Sequence, residues 1–122
     1  MILHIDFETR SATDLKEVGV HDYAKHPTTD LWCAAYAFDD EEPDVWLPPD
    51  PMPQRVRDHV DSGGEIRAYN SQFERVLWRE VLTPRYGWAE PKLEQYSCVM
   101  ARAYALSLPG DLGGATARRR GP

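Results

Sequence analysis

The first eight residues carry an alternation. Ile5 and Phe7 fall on one side of an extended chain and Asp6 and Glu8 on the other, after the apolar Ile2 and Leu3, so residues 1–8 predict a strand. Residues 13–24 predict a loop and a short helix contributing Val18, Val20 and Tyr23, broken by His26-Pro27-Thr28-Thr29-Asp30. Residues 31–38 (LWCAAYAF) are apolar throughout, as in a buried central strand. An acidic turn at 39–43 and a short returning strand at 44–47 complete a hairpin. The prolines of 48–53 dictate a loop.

Residues 54–60 predict a short helix stopped by Ser62-Gly63-Gly64, and residues 65–69 a further strand. Helical spacing is strongest over 71–82. There Phe73, Val76, Leu77, Val81 and Leu82 share a face, Asn70 or Ser71 caps the start, and Thr83-Pro84 ends it. A second helix is expected over 93–106, from the spacing of Leu93, Tyr96, Met100, Ala103 and Tyr104 up to Pro109-Gly110. Residues 113–122 form an irregular basic tail. This order of elements predicts an α/β domain with a mixed sheet.

At 122 residues and 42% hydrophobic, the chain can bury one core. Charged residues make up 28%, and no apolar run approaches the ~18 residues that span a membrane. No charged-then-apolar leader opens the chain, so a secretory signal is not expected. Cys33 and Cys98 are far apart and outside any CxxC pair, which fits a reducing cytoplasmic setting. The net charge of -6 falls mainly in the first half. Such a chain is no general coat for nucleic acid, whose non-specific binding rests on Lys and Arg. Carboxylates that hold divalent cations can nevertheless make a nucleic-acid enzyme acidic.

Two segments could carry that chemistry. On a strand, Asp6 and Glu8 project to one face with Cα atoms roughly 7 Å apart, a spacing that lets both reach hard cations. The plainer reading is a pair of solvated residues at a strand end. The segment Ala68-Tyr69-Asn70-Ser71-Gln72-Phe73-Glu74 runs from a strand into a helix. Glu74 in its first turn also reads as a surface residue favoured by the helix dipole, and Asn70 as an N-cap. His4, His21, His26 and His59 lack zinc-binding spacing, although His4 would share the face of Asp6 and Glu8. Gly113-Gly114 lacks the Lys-Ser/Thr of a phosphate loop. Arg75 and Arg79 face either solvent or a nucleic-acid backbone, as does the Arg118–Arg120 run, and Trp32, Trp46, Trp78 and Trp88 read as core or rim packing.

Together, Asp6-Phe7-Glu8-Thr9 and Asn70-x-x-Phe73-Glu74 resemble the first two motifs of the DEDD-type 3′–5′ exonucleases, the second with Glu in place of its usual Asp. Residues 98–110 resemble the stretch after the second motif in phage-type family A (DNA polymerase I-like) polymerases. The resemblance covers residues 1–112 and implies a ribonuclease H-like mixed sheet with flanking helices, incomplete at the C-terminus. It implies a proofreading exonuclease module of a DNA polymerase that hydrolyses the 3′-terminal phosphodiester of single-stranded DNA. Asp6, Glu8 and Glu74 would be catalytic and hold two Mg²⁺ or Mn²⁺ ions. Phe7 would stack on the terminal nucleotide and Thr9 would meet it through its backbone. Asn70 and Phe73 would shape the pocket or support the helix start, with Phe73 also readable as core.

The family's third motif, Tyr-x-x-x-Asp or His-x-x-x-Asp, has no counterpart. Asp111 lies in a Pro-Gly-Asp-Leu turn with Ser107 four residues before it. The resemblance therefore implies a module cut short, weak or inactive alone, with uncovered apolar surface inviting self-association. A polymerase domain would be its natural partner and a bacterial or phage-infected cytoplasm its setting. The alternative is a non-catalytic remnant or accessory domain with weak single-strand binding.

Overall fold

The structure is a computed structural model and describes residues 1–98. Five strands form one open sheet in the order β3-β2-β1-β4-β5. The strands are β1 (Ile2–Arg10), β2 (Asp30–Phe38), β3 (Asp44–Trp46), β4 (Glu65–Ala68) and β5 (Tyr96–Cys98). The first three form an antiparallel meander, while β4 and β5 add in parallel beside β1. The sheet is mixed, with helices α1 (Leu15–Lys25), α2 (Gln54–Asp61) and α3 (Ser71–Leu77) in the connections. The expected α/β architecture, a mixed sheet flanked by helices, is therefore observed.

Alternation sorts β1 into two faces. Leu3, Ile5 and Phe7 are at most 3% exposed, whereas His4 and Asp6 are half-buried and Glu8 is exposed. Cross-strand register carries the sorting outward. Ala34, Tyr36 and Phe38 stand opposite the apolar residues, and Cys33, Ala35 and Ala37 opposite Glu8, Asp6 and His4. The core joins the first set to Ile66 and Ala68 of β4, Val56 and Val60 of α2, and Val76, Leu77 and Trp78 from the helix after β4. No residue of this core cluster comes from the His4, Asp6 and Glu8 face. Trp78 lies at its centre, with ring centroids 6.1 Å from Phe7, 5.4 Å from Trp88 and 6.4 Å from Tyr96. Its Nε1–H donates to the Ala89 carbonyl at 2.9 Å, so the indole is buried with its polar edge satisfied.

The strands at 1–8, 44–47 and 65–69 and the helix at 54–60 form close to their expected limits. In α1 the Asp14 carboxylate caps the Lys16 N–H at 2.9 Å, and Gly19 at φ 81° interrupts the helix. Tyr23 and Ala24 are buried and Val20 packs against the core as expected, while Val18 is left exposed.

Three expectations are corrected. The helix at 71–82 does not end at Thr83-Pro84. After α3 it passes through a π turn (Trp78–Leu82) into α4 (Thr83–Tyr86) and stops at Gly87, φ 70°. The Thr83 N–H donates to the Trp78 carbonyl, five residues back. The hydrogen-bond ladder has thus already shifted where Pro84 lacks its donor. The helix expected over 93–106 is instead a 3₁₀ turn (Leu93–Gln95) followed by β5, because Tyr96 and Ser97 pair with Ile66 and Arg67 on the open edge of β4. Residues 99–106 of that expected helix lie outside the described residues, as do Ser107, Asp111 and the tail at 113–122. Trp32 is not packed as core. It is 64% exposed, while Trp46, Trp78 and Trp88 are at most 3% exposed. Among the described residues no helix is long and apolar enough to cross a membrane.

Candidate functional site

The sheet splits at the carboxyl end of β1. Parallel pairing of β1 with β4 runs from Ile2 and Glu65 to His4 and Arg67 and is not continued at Ile5. Pairing with β2 continues on the other side to Arg10. Beyond His4, β1 therefore has one edge that β4 no longer covers. The chain leaves β4 through Tyr69 and Asn70 and turns into α3. The first turn of that helix delivers Glu74 to the uncovered edge, where the Phe7 N–H donates to Glu74 Oε2 at 3.4 Å. Sixty-seven residues separate the two in sequence.

Glu74 is 0% exposed. This corrects its reading as a surface glutamate at a helix start: a buried carboxylate is expensive to desolvate and is kept where partners compensate. Glu74 meets the β1 edge at Phe7, while the neighbouring Asp6 and Glu8 project from the face away from the core. Both act on Cys33, whose thiol pKa is raised first by burial and then by the charges of Glu8 and Asp6. Glu8 is directly opposite Cys33 in the ladder. On the core side, Tyr96 has its hydroxyl pKa raised, chiefly by burial and then by the Glu90 charge, with Glu74 adding to it and Arg75 and Arg79 opposing.

Glu74 therefore reaches the strand that carries Asp6 and Glu8. Among the described residues, however, no three His, Cys, Asp or Glu side chains stand together as a ready metal-binding group. Hard oxygen donors are the right type for Mg²⁺ or Mn²⁺, and Mg²⁺ needs only a few protein carboxylates because it retains waters. Exposed Glu8 has room to change rotamer; buried Glu74 is held.

The remaining expected residues divide. Phe7 is 2% exposed against Trp78, and a ring so placed has no face to offer a nucleotide. Thr9 is half-buried, its Oγ1 2.8 Å from the Tyr23 hydroxyl. Asn70 occupies the N-cap position, yet its side chain makes no capping bond. Its carbonyl instead accepts from the Phe73 N–H at 3.1 Å and the Glu74 N–H at 3.4 Å. Phe73 packs on the core edge, 6.4 Å from the Tyr23 ring. Arg75 and Arg79 line one shallow groove with Glu90, Leu93 and Tyr96, and Arg79 is paired with Glu80 at 3.0 Å. Sequence reasoning missed Cys33 as a neighbour of the acids, a relation fixed by cross-strand register.

No protein-family model matches the chain, and no solved structure matches it. A curated protein does. Over 119 residues the chain is 34% identical to a DNA polymerase of Bacillus phage SP02, an overlap covering 92% of this chain and 17% of that polymerase. The chain is thus similar, over a segment spanning a small part of its relative, to a phage DNA polymerase.

Proposed function

We propose that this chain is a 3′–5′ exonuclease module of a DNA polymerase, acting on the 3′ end of single-stranded DNA in a proofreading role. Three facts support the reading: similarity to a phage DNA polymerase, the mixed sheet, and the acids at the end of β1. The observation that carries it is the buried Glu74, brought from a distant helix to the peptide between Asp6 and Glu8.

Asp6, Glu8 and Glu74 would hold Mg²⁺ or Mn²⁺, and a bound ion pair would supply an activated water and offset charge on the attacking and leaving oxygens. In the reaction a water oxygen bonds to the terminal phosphorus. The bond from phosphorus to the 3′ oxygen of the preceding nucleotide breaks, and that oxygen takes a proton. A nucleoside 5′-monophosphate leaves, and the strand is one nucleotide shorter. The chain's own part is placement. Asp6 and Glu8 are spaced by the strand, Glu74 is fixed by burial, and Asn70 and Phe73 hold the helix start that carries it. Activity of this chain alone is expected to be weak or absent, since three acids stand where the resembled family uses four.

The test is incubation of 5′-labelled single-stranded DNA with the protein and Mn²⁺, beside an Asp6→Ala variant. Metal-dependent shortening from the 3′ end that disappears in the variant supports the reading. Shortening that persists in the variant, or none in the wild type, contradicts it. A second reading, a non-catalytic domain that binds single strands weakly, is favoured by one observation: the absence of a ready three-ligand cluster among the described residues.

A further inference from the structure

We infer that Trp32 is the surface on which a base of the single-stranded substrate stacks, beside the Asp6 and Glu8 carboxylates; the inference rests on the nucleic-acid reading above. The geometry begins with a β-bulge. Glu8 pairs with Cys33, but Thr9 pairs with Leu31, so Trp32 is an extra residue on β2 across from the Glu8–Thr9 peptide. Bulges break side-chain alternation and re-aim a residue, often beside an active site. The break is visible in the burial: Leu31 is 1% exposed, Trp32 is 64% exposed and Cys33 is half-buried.

Exposure is not the general fate of indoles in this protein. Trp46, Trp78 and Trp88 interlock in the core at centroid distances of 5.0 and 5.4 Å. An indole ring left in water forgoes a large burial gain. Trp32 therefore offers a free aromatic face across the ladder from Glu8, a role that buried Phe7 cannot fill.

Charge at this end also fits a nucleotide. Arg10 follows Glu8 by two positions on β1, and its side chain is 61% exposed. Its ion pair with Asp30 is long, 3.7 Å, and Asp30 also accepts from the Tyr86 hydroxyl at 2.7 Å and lies 3.6 Å from Arg85, so a phosphate can compete for the exposed guanidinium. An aromatic platform beside a cation is the usual equipment for holding a single strand without sequence preference.

The other buried indoles make the test direct. The full chain is titrated with an unlabelled thymidine oligonucleotide in EDTA, which prevents turnover, and tryptophan emission is followed. A fluorescein-labelled oligonucleotide, read by anisotropy, gives the affinity independently. The expected result is saturable quenching in the wild type, absent in Trp32→Ala. Affinity falls by roughly 5- to 100-fold in that variant, the effect of losing one base–aromatic stack, and Trp32→Phe recovers most of it. Circular dichroism melts of Trp32→Ala are expected to match those of the wild type. Unchanged affinity in Trp32→Ala, or binding without quenching, overturns the role of Trp32. If Asp6-dependent shortening persists alongside either result, the nuclease reading stands and only this inference fails. No binding by the wild type overturns both.

Discussion

The two faces of β1 follow different rules. One bears Leu3, Ile5 and Phe7, all buried and interlocked with Trp78 and Ile66. The other bears His4, Asp6 and Glu8, opposite small residues of β2 and outside the core cluster. A single nine-residue strand thus packs the core on one side and carries the acids proposed as metal ligands on the other. Glu74 belongs to neither pattern. It is an acidic residue with no exposed surface, on the helix that follows β4 where that strand leaves β1. Residues kept for folding and residues kept for chemistry should therefore separate cleanly under substitution, with Glu74 in both groups.

The largest effect is expected on the packed face. Trp78→Ala removes a 0% exposed indole and should lower stability by about 3–5 kcal/mol, read as a fall in the urea midpoint. A change below about 1 kcal/mol would mean that the packed face is not the stabilising one. Glu74 comes next. Glu74→Ala leaves the Phe7 N–H without its acceptor in a buried gap, at about 1–3 kcal/mol. Glu74→Gln keeps an acceptor and should change stability by about 1 kcal/mol or less, while removing metal-dependent activity. Equal destabilisation by both substitutions would separate Glu74 from the hydrogen bond assigned to it.

On the polar face the effects invert. Asp6→Asn and Glu8→Gln should each alter stability by no more than about 0.5 kcal/mol and each abolish metal-dependent 3′ shortening. A melt shifted as far as that of Trp78→Ala would place these acids in the structural group. The smallest effect concerns Cys33, whose thiol the nearby carboxylates hold above its ordinary pKa after burial has raised it. Removing the Glu8 charge lowers that pKa and enlarges the thiolate fraction at a given pH. Iodoacetamide labelling of the Cys33 peptide at pH 8 should thus be faster in Glu8→Gln than in wild type. An unchanged rate would show that Glu8 does not act on this thiol.

What was legible in the sequence is what local physics decides. The alternation in residues 1–8, the acidic turn before residue 44 and the Gly pair after residue 62 each act within a few residues, and the corresponding elements formed. The mixed sheet followed from their order. The misses are non-local. Tyr96 has helical spacing with its neighbours, yet pairing with Ile66 makes it a strand residue. Pro84 signals a stop, but the π turn ahead of it had already displaced the ladder. Trp32 sits in an apolar run and becomes exposed through a bulge set by register with β1. Glu74 carries the signal of a surface helix start and is buried because the sheet opens beneath it.

If Asp6, Glu8 and Glu74 act on a common divalent ion, calorimetric titration of the protein with Mn²⁺ will register all three. Wild type, Asp6→Asn and Glu74→Gln are compared under one buffer. Saturable binding to the wild type is expected, weakened by roughly tenfold or more in each variant. Binding weakened by Asp6→Asn but unaffected by Glu74→Gln would contradict a common ion, as would the absence of binding to the wild type.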